Sequence, residues 1–463
     1  MDTSAQGRAG SLSTQEGRVE RCFKPSRYNI FSERPEYVWA FNARSKALVK
    51  FTHDEFRTIR HLLEQPGLSG VPDQDGMRRF LIAGQFLVAD DLDELGLLKT
   101  KNNLARFGAR GVGLIIAPTL RCNFNCGYCY VDLNANKMTP EVRDRTKRFF
   151  EYKLSITWTG GDPSLALDVV CELSEHFISV CDHRQAQYAA MMITNGYLLD
   201  ARMVQRVREC RIGTLQITID GNRAAHNSSR SLAGGKPTYD RIMDNLAAAS
   251  ENIGIVVRMN IDRRNVDGIE DVFSDMRARG VAQHVKVFFA CVEATHEHCS
   301  SYATNCFSMQ EFARVEPKLA KLARDYGLRV GSDVPRLRHE FCGANSTNYF
   351  VIDSKGQLLR CYNDLGTGDV NGIGYIGPDG REVIDKPDNL FRWLSWDPFS
   401  IEECRECKVL PLCMGGCSYQ RVRHGEGAEL GCITAKFALD EFLESYGGTL
   451  AQSQAGCGDC SRM

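Results

Sequence analysis

The chain has 463 residues, a formal net charge of −1, 43% hydrophobic residues and 25% charged residues. That length exceeds what one hydrophobic core sustains, so two or three domains are expected in a chain of ordinary globular composition. The near-zero charge gives no electrostatic reason to expect nucleic acid or a membrane as partner, and the longest apolar runs, such as 113–117 and 285–292, are strand-sized.

Residues 1–20 are polar and Gly/Ser-rich without an apolar stretch, so 1–26 reads as a disordered tail rather than a signal peptide or anchor. A cytoplasmic location follows as an expectation. From 27 to 105 a small α+β unit is expected. Residues 37–41 and 47–51 read as a β-pair, and Thr52 with Glu55 forms a capping-box pattern ahead of Phe56 and Ile59. Further helices are expected near 76–83 and 91–103. This order resembles the winged-helix recognition element at the front of many peptide-modifying enzymes.

From 111 to 335 strands and helices alternate, which predicts a parallel sheet. Strands are expected at 113–118, 154–159, 189–194, 214–219, 253–261 and 285–291. Helices are expected at 140–152, 165–181, 201–209, 239–250 and 266–277, with Pro140 at a first helical position where its missing N–H costs nothing. Six such units make an incomplete barrel whose chemistry sits at the C-terminal ends of its strands. Ser308 and Glu311 form a second capping box. From 340 to 446 the chain is rich in cysteine and loops, with a helix expected at 435–446, and 447–463 is a Cys-containing tail. Metal clusters would supply the cross-links that such a segment lacks.

Nineteen cysteines are the unusual feature. Without an export signal the thiols are expected to stay reduced and available to metal. Cys122-x3-Cys126-x2-Cys129 directly follows the first barrel strand. Three thiolates at this spacing can hold three irons of a [4Fe–4S] cube and leave the fourth open. A zinc knuckle would lack a ligand, since structural zinc takes four. Further on come Cys342, Cys361, then Cys404-x2-Cys407-x5-Cys413-x3-Cys417, then Cys432. A zinc ribbon would instead present two separate pairs. Cys22, Cys171, Cys181 and Cys210 read as ordinary small apolar residues.

On these motifs residues 111–435 resemble the radical S-adenosylmethionine (radical SAM) enzymes. The resemblance implies an α/β fold: a partial (β/α)6 radical SAM barrel (111–335), preceded by the winged-helix-like unit and followed by a SPASM iron–sulfur domain (340–446). It implies S-adenosylmethionine chelated by the open iron and cleaved by one electron to a 5′-deoxyadenosyl radical. Gly160-Gly161-Asp162-Pro163 resembles the family's Gly-Gly-Glu-Pro stretch, which receives the methionine amino group, with Asp162 where Glu is commoner. Asn195 falls in a Thr-Asn-Gly match at the third strand, and Thr218 and Asp220 in the fourth-strand match. Arg258 and Asn260 match the stretch that helps hold the methionine carboxylate and ribose, a task suited to the planar guanidinium. His226 and Arg230 fall where the family often has His-Asp followed by Arg. No residue stands out as a general base.

The seven-cysteine SPASM pattern implies two auxiliary clusters, so three [4Fe–4S] clusters in all. Cys404, Cys407, Cys413 and Cys432 would hold the outer one, and Cys342, Cys361 and Cys417 the inner one. The inner cluster's fourth ligand would be Cys306, Cys299, Cys291 or a substrate group, and Cys457 and Cys460 on the tail are left over. The expected function is modification of side chains, by crosslinking or oxidation, in a ribosomally made precursor peptide with a leader, fed by a flavodoxin- or ferredoxin-type reductant. The rival readings are a sulfatase-maturase-like protein modifier and a non-catalytic iron–sulfur electron carrier.

Overall fold

The computed structural model describes residues 22–66, 72–108, 111–133, 137–149, 154–293, 297–331, 336–424 and 431–455. The expected tail at 1–20 and the pair Cys457/Cys460 lie outside the described residues. The chain divides into two compact units, Met1–Glu94 and Leu95–Met463.

In the first unit Asn29–Glu33, Val38–Asn42 and Leu48–Phe51 form an antiparallel sheet in chain order, with Ile30 opposite Phe41 and Val38 opposite Phe51. Phe23–Pro25 pairs separately with Leu87–Ala89. The helix His53–Glu64 starts at the expected capping box: the Thr52 hydroxyl accepts from the Glu55 N–H, and the Glu55 carboxylate from the Thr52 N–H. Those bonds hold the Glu55 carboxyl below its ordinary range. Phe56, Ile59 and Leu62 from this helix pack with Val38, Phe51 and Leu81 in a core of their own. Buried Asn42 ties the strands together, donating to Asn29 Oδ1 and to the Gln85 carbonyl, both at 2.9 Å. The strand 29–33 was not expected: one apolar and polar alternation over five residues is a weak signal.

The expected third helix is Glu94–Phe107, several residues later than predicted, and nearly all of it falls in the second unit rather than before a boundary at 105. Its last turn is fixed there by buried Arg106, whose guanidinium donates to the Asn345 carbonyl at 3.2 Å and the Leu394 carbonyl at 2.8 Å. A cation spent on carbonyls gives no apolar period, so the sequence pattern ends early.

The second unit is built on six parallel strands hydrogen-bonded in chain order: β1 (Val112–Thr119), β2 (Leu154–Gly160), β3 (Tyr188–Thr194), β4 (Ile212–Thr218), β5 (Gly254–Ile261) and β6 (Val285–Cys291). Each lies within two residues of its expected bounds. Helices Pro140–Arg148, Leu167–His183, Ala201–Glu209, Tyr239–Ala249 and Ile269–Ala278 connect them. Along β5, Ile255, Val257 and Met259 are buried and alternate with less buried Val256 and Arg258. One face therefore packs on helices through residues such as Phe273 and Met276, and the other turns inward. The short helix Arg223–Ser229, capped by Asn222, was not foreseen.

The C-terminal third corrects the expectation of a loop-rich segment with one helix. Tyr349–Ile352 pairs parallel to β1, and Gln357–Leu359, Gly374–Ile376 and Glu382–Val383 continue the same sheet antiparallel. Helices Pro387–Leu394, Ser418–His424 and Leu439–Ala455 follow. Strands of two to four residues are too short for an alternation to register in the sequence.

Candidate active site and cysteine centres

β1 hands the chain to the Cys122–Cys129 loop at the C-terminal edge of the sheet. The loop is bound along its length: the Asn125 N–H donates to the Ser231 carbonyl at 3.1 Å and the Ala233 N–H to the Asn123 carbonyl at 2.9 Å, with Phe124 buried between. Gly160 and Gly161 end β2 directly beneath. At Gly160 the backbone has φ +124°, and a Cβ would stand 2.2 Å from the Thr119 carbonyl oxygen; at Gly161 it would meet the Arg121 carbonyl oxygen at 2.1 Å. Only glycine allows β2 to reach the base of the cysteine loop. Pro163 is buried and opens the single turn Pro163–Ala166.

Asp162 is 1% exposed, and its carboxylate is engaged within the protein. It accepts from the Ser164 N–H at 2.9 Å, from the Thr194 hydroxyl at 3.0 Å and from the Asn195 N–H at 2.8 Å. It thus clasps the end of β2 to the end of β3. Asn195 passes the link on, donating through Nδ2 to Asn123 Oδ1 at 2.7 Å, with Cys122 Sγ at 3.9 Å.

Below the same loop lies a polar network. The Tyr128 hydroxyl donates to Asp220 Oδ2 and accepts from Arg230 Nη1 and, at 3.2 Å, from Asn260 Nδ2. Asp220 Oδ1 takes the Asn260 N–H at 3.0 Å, and Asn260 Oδ1 takes Arg258 Nε at 2.7 Å. Burial raises the Asp220 carboxyl, with Arg230 and the Tyr128 hydroxyl opposing. Thr218, opposite Arg258 in register, closes the row at the end of β4. Tyr128 escaped the sequence reading although it sits between the second and third motif cysteines. The hydroxyl's three partners lie far along the chain: Asp220 just after β4, Arg230 after the helix Arg223–Ser229 and Asn260 on β5.

His226 is wholly buried. Its Nδ1 accepts the Asp220 N–H at 3.2 Å, which leaves Nε2 to donate to the Thr238 hydroxyl at 3.2 Å. Burial, aided by the Arg230 charge, pushes its pKa down to about 3. The ring is therefore a neutral strut.

The cysteines fall into three neighbourhoods. Burial pushes the Cys122 thiol up to about 12, with Asp162 adding to it, and Cys126 up to about 11, with the Cys129 thiol adding to it. In the C-terminal third Cys361 lies within the field of Cys342 and Cys417. Cys413 lies within that of Cys432, Cys407 and Cys404. Among the described residues no three Cys, His, Asp or Glu side chains close to ligand distance. The sulfurs are neighbours rather than a finished cage.

Their surroundings suit iron–sulfur clusters. Among the described residues a backbone N–H two residues on is directed at the sulfur in six cases: Phe124 at Cys122, Val131 at Cys129, Ala344 at Cys342, Asn363 at Cys361, Val409 at Cys407 and Tyr419 at Cys417. Hydrogen bonds to sulfur are a main lever on cluster potential. Lys436 Nζ adds one to Cys432 Sγ at 3.5 Å. The buried thiols give up their protons on binding metal, which offsets the burial that raises them. Of the residues considered for a fourth inner ligand, Cys299 is buried with its thiol 3.3 Å from the Cys129 carbonyl oxygen, beside the first loop. Cys291 lies near Cys306 and Glu293. Cys171 and Cys210, read as plain apolar residues, meet with their sulfurs 3.0 Å apart. The Cys210 contact, with nearby Arg206, lowers the Cys171 thiol to about 7 against its burial.

The class follows from strand order and loop chemistry together, and the radical SAM superfamily model matches residues 116–276, the span from β1 through the helix after β5. The barrel is a radical SAM domain, and the protein is an enzyme of that class, which works with S-adenosylmethionine and a [4Fe–4S] cluster. Among individual proteins, the cysteine-type anaerobic sulfatase-maturating enzyme of Clostridium novyi is 23% identical over 346 residues, covering 66% of this chain and 88% of that protein. The structure of native anSMEcpe with bound AdoMet aligns with TM-score 0.58 at 19% identity, over 74% of this chain and 99% of that one. That of Streptococcus suis SuiB bound to precursor peptide SuiA aligns with TM-score 0.52 at 14% identity, over 88% and 97%. Among the described residues no helix is long and apolar enough to cross a membrane.

Proposed function

We propose that this enzyme is a maturase that crosslinks or oxidises side chains of a ribosomally made precursor peptide. The observation that carries this reading is the first unit. Its three-stranded sheet leaves the outer strands Asn29–Glu33 and Leu48–Phe51 each paired on one side only among the described residues. An extended leader peptide can add to such an edge by main-chain hydrogen bonds. The likeness to SuiB, solved with its precursor peptide, spans 88% of the chain and supports a peptide substrate. The likeness to a sulfatase-maturating enzyme supports a second reading, in which the substrate is a protein rather than a leader-bearing peptide.

Cys122, Cys126 and Cys129 would hold the first cluster, Cys404, Cys407, Cys413 and Cys432 the outer auxiliary cluster, and Cys342, Cys361 and Cys417 the inner one. Bound there, the first cluster would supply the one-electron chemistry that cleaves S-adenosylmethionine. Gly160–Pro163, Asn195, Thr218, Asp220, Arg258 and Asn260 would surround the cofactor. Of these, Asp162 acts by holding the ends of β2 and β3 in place, and Tyr128 with Arg230 keeps the floor of the cysteine loop charge-compensated.

The test is anaerobic reconstitution of the full chain. About twelve irons per chain are expected, together with 5′-deoxyadenosine formation under a strong reductant. A Cys122/Cys126/Cys129→Ala triple variant should lose about four of those irons and all 5′-deoxyadenosine. Tightly bound zinc with little iron would overturn the cluster assignment. Full iron without any 5′-deoxyadenosine would favour an electron carrier.

A further inference from the structure

The inward faces of β5 and β6, the helix Met309–Asp325 and the C-terminal third of the chain enclose a cavity of about 640 Å³. Four cations line it: Arg258, Lys286, Arg336 and Arg338. None has an ion-pair partner among the described residues. Arg258 is spent on Asn260 and on the face of Phe288, 5.7 Å from its ring centre. Arg338 donates to the Phe341 carbonyl at 3.0 Å and lies over that ring. The two acids in the wall are already engaged: Glu293 accepts from Gln420 Nε2 and Glu316 from the Thr434 hydroxyl, each at 2.5 Å. The remaining wall is largely apolar, with Phe288, Phe341, Tyr362 and Phe442. Cys417 and Cys432, one from each C-terminal cysteine group, also line it.

Four cations against two acids leave this partly closed, aromatic-walled cavity with an excess of positive charge, and such a cavity attracts carboxylates, because charge-assisted bonds gain where water is scarce. We infer that this cavity receives a segment of the peptide substrate carrying carboxylates, which Lys286, Arg336 and Arg338 bind. The inference rests on the peptide-maturase reading and narrows it to an acidic segment. Glutamate or aspartate side chains and a free peptide C-terminus offer the same chemistry.

The probes are fluorescein-labelled ten-residue Gly/Ser/Ala peptides containing either four Glu, four Gln or four Lys, each with a free or amidated C-terminus. Binding to reconstituted full-length enzyme is read by fluorescence anisotropy at low and physiological salt, and 5′-deoxyadenosine formation is measured on the same preparations. The Glu peptide should bind at least ~10-fold tighter than the Gln peptide, a difference of about 1.4 kcal/mol, and the gap should shrink with salt. Lys286→Ala/Arg336→Ala/Arg338→Ala should abolish the difference, with iron content reporting that the variant is folded. A conservative Lys286→Arg change should keep it. If only a free C-terminus matters, the carboxylate recognised is the terminal one. Equal binding of Glu and Gln peptides irrespective of their termini, or an undiminished preference in the folded triple variant, overturns the inference. Loss of 5′-deoxyadenosine formation in the parent enzyme would instead overturn the reading on which it rests.

Discussion

Tyr128 is the single hydroxyl on which Asp220, Arg230 and Asn260 meet. Tyr128→Phe would take one partner from each of the three in a buried site, at a cost of about 1–3 kcal/mol in stability. S-adenosylmethionine binding, followed by calorimetry, should weaken while the iron content is kept. Unchanged melting and binding would show that the hydroxyl is idle. His226 makes a different prediction. Its folded pKa of about 3 lies below its unfolded value of 6.5, so the unfolded chain takes up the proton first as pH falls. The stability present above pH 6.5 is therefore lost progressively toward pH 3, by about 2 kcal/mol at pH 5 from this group alone. His226→Asn should lower the urea midpoint at pH 7 yet lose less between pH 7 and pH 5 than the parent. At this scale the sequence was legible where chemistry is local. The cysteine spacing, both glycines and the Thr52 cap follow from neighbours in the chain, whereas the roles of Tyr128 and Asp162 depend on partners dozens of residues away.

Among the elements, the short turns around the C-terminal cysteines decide which sulfurs are neighbours. Cys361 shares its surroundings with Cys342 and Cys417, and Cys413 with Cys404, Cys407 and Cys432. Cys404→Ala/Cys407→Ala should therefore remove about four irons and leave the Cys342–Cys361–Cys417 cluster spectroscopically intact, by electron paramagnetic resonance. Loss of both auxiliary clusters together would mean that the two groups share ligands. The six barrel strands were readable because each is seven or eight residues long, enough for apolar residues on the helix-facing side to recur, as Ile255, Val257 and Met259 do on β5. The four strands that carry the sheet past β1 were not, being two to four residues each and fixed by pairing rather than by pattern.

For the whole molecule, the compact first unit should be separable. Deleting residues 22–92, which keeps the helix Glu94–Phe107 that Arg106 anchors, should preserve 5′-deoxyadenosine formation and weaken capture of a leader-bearing precursor. Equal precursor affinity in the truncated enzyme would refute a leader-binding role.

The pairing of β1 with Tyr349–Ile352 has a consequence for synthesis. Gly113 leaves the ribosome early, and its partner Tyr349 comes only after the rest of the barrel. At bacterial or eukaryotic elongation rates the outer edge of β1 waits on the order of ten to fifty seconds, its N–H and C=O groups unpaired beside an apolar face. The nascent barrel is thus open to strand exchange and to holding chaperones until its last third arrives. Chains halted before Tyr349 should aggregate, although every barrel strand is already made.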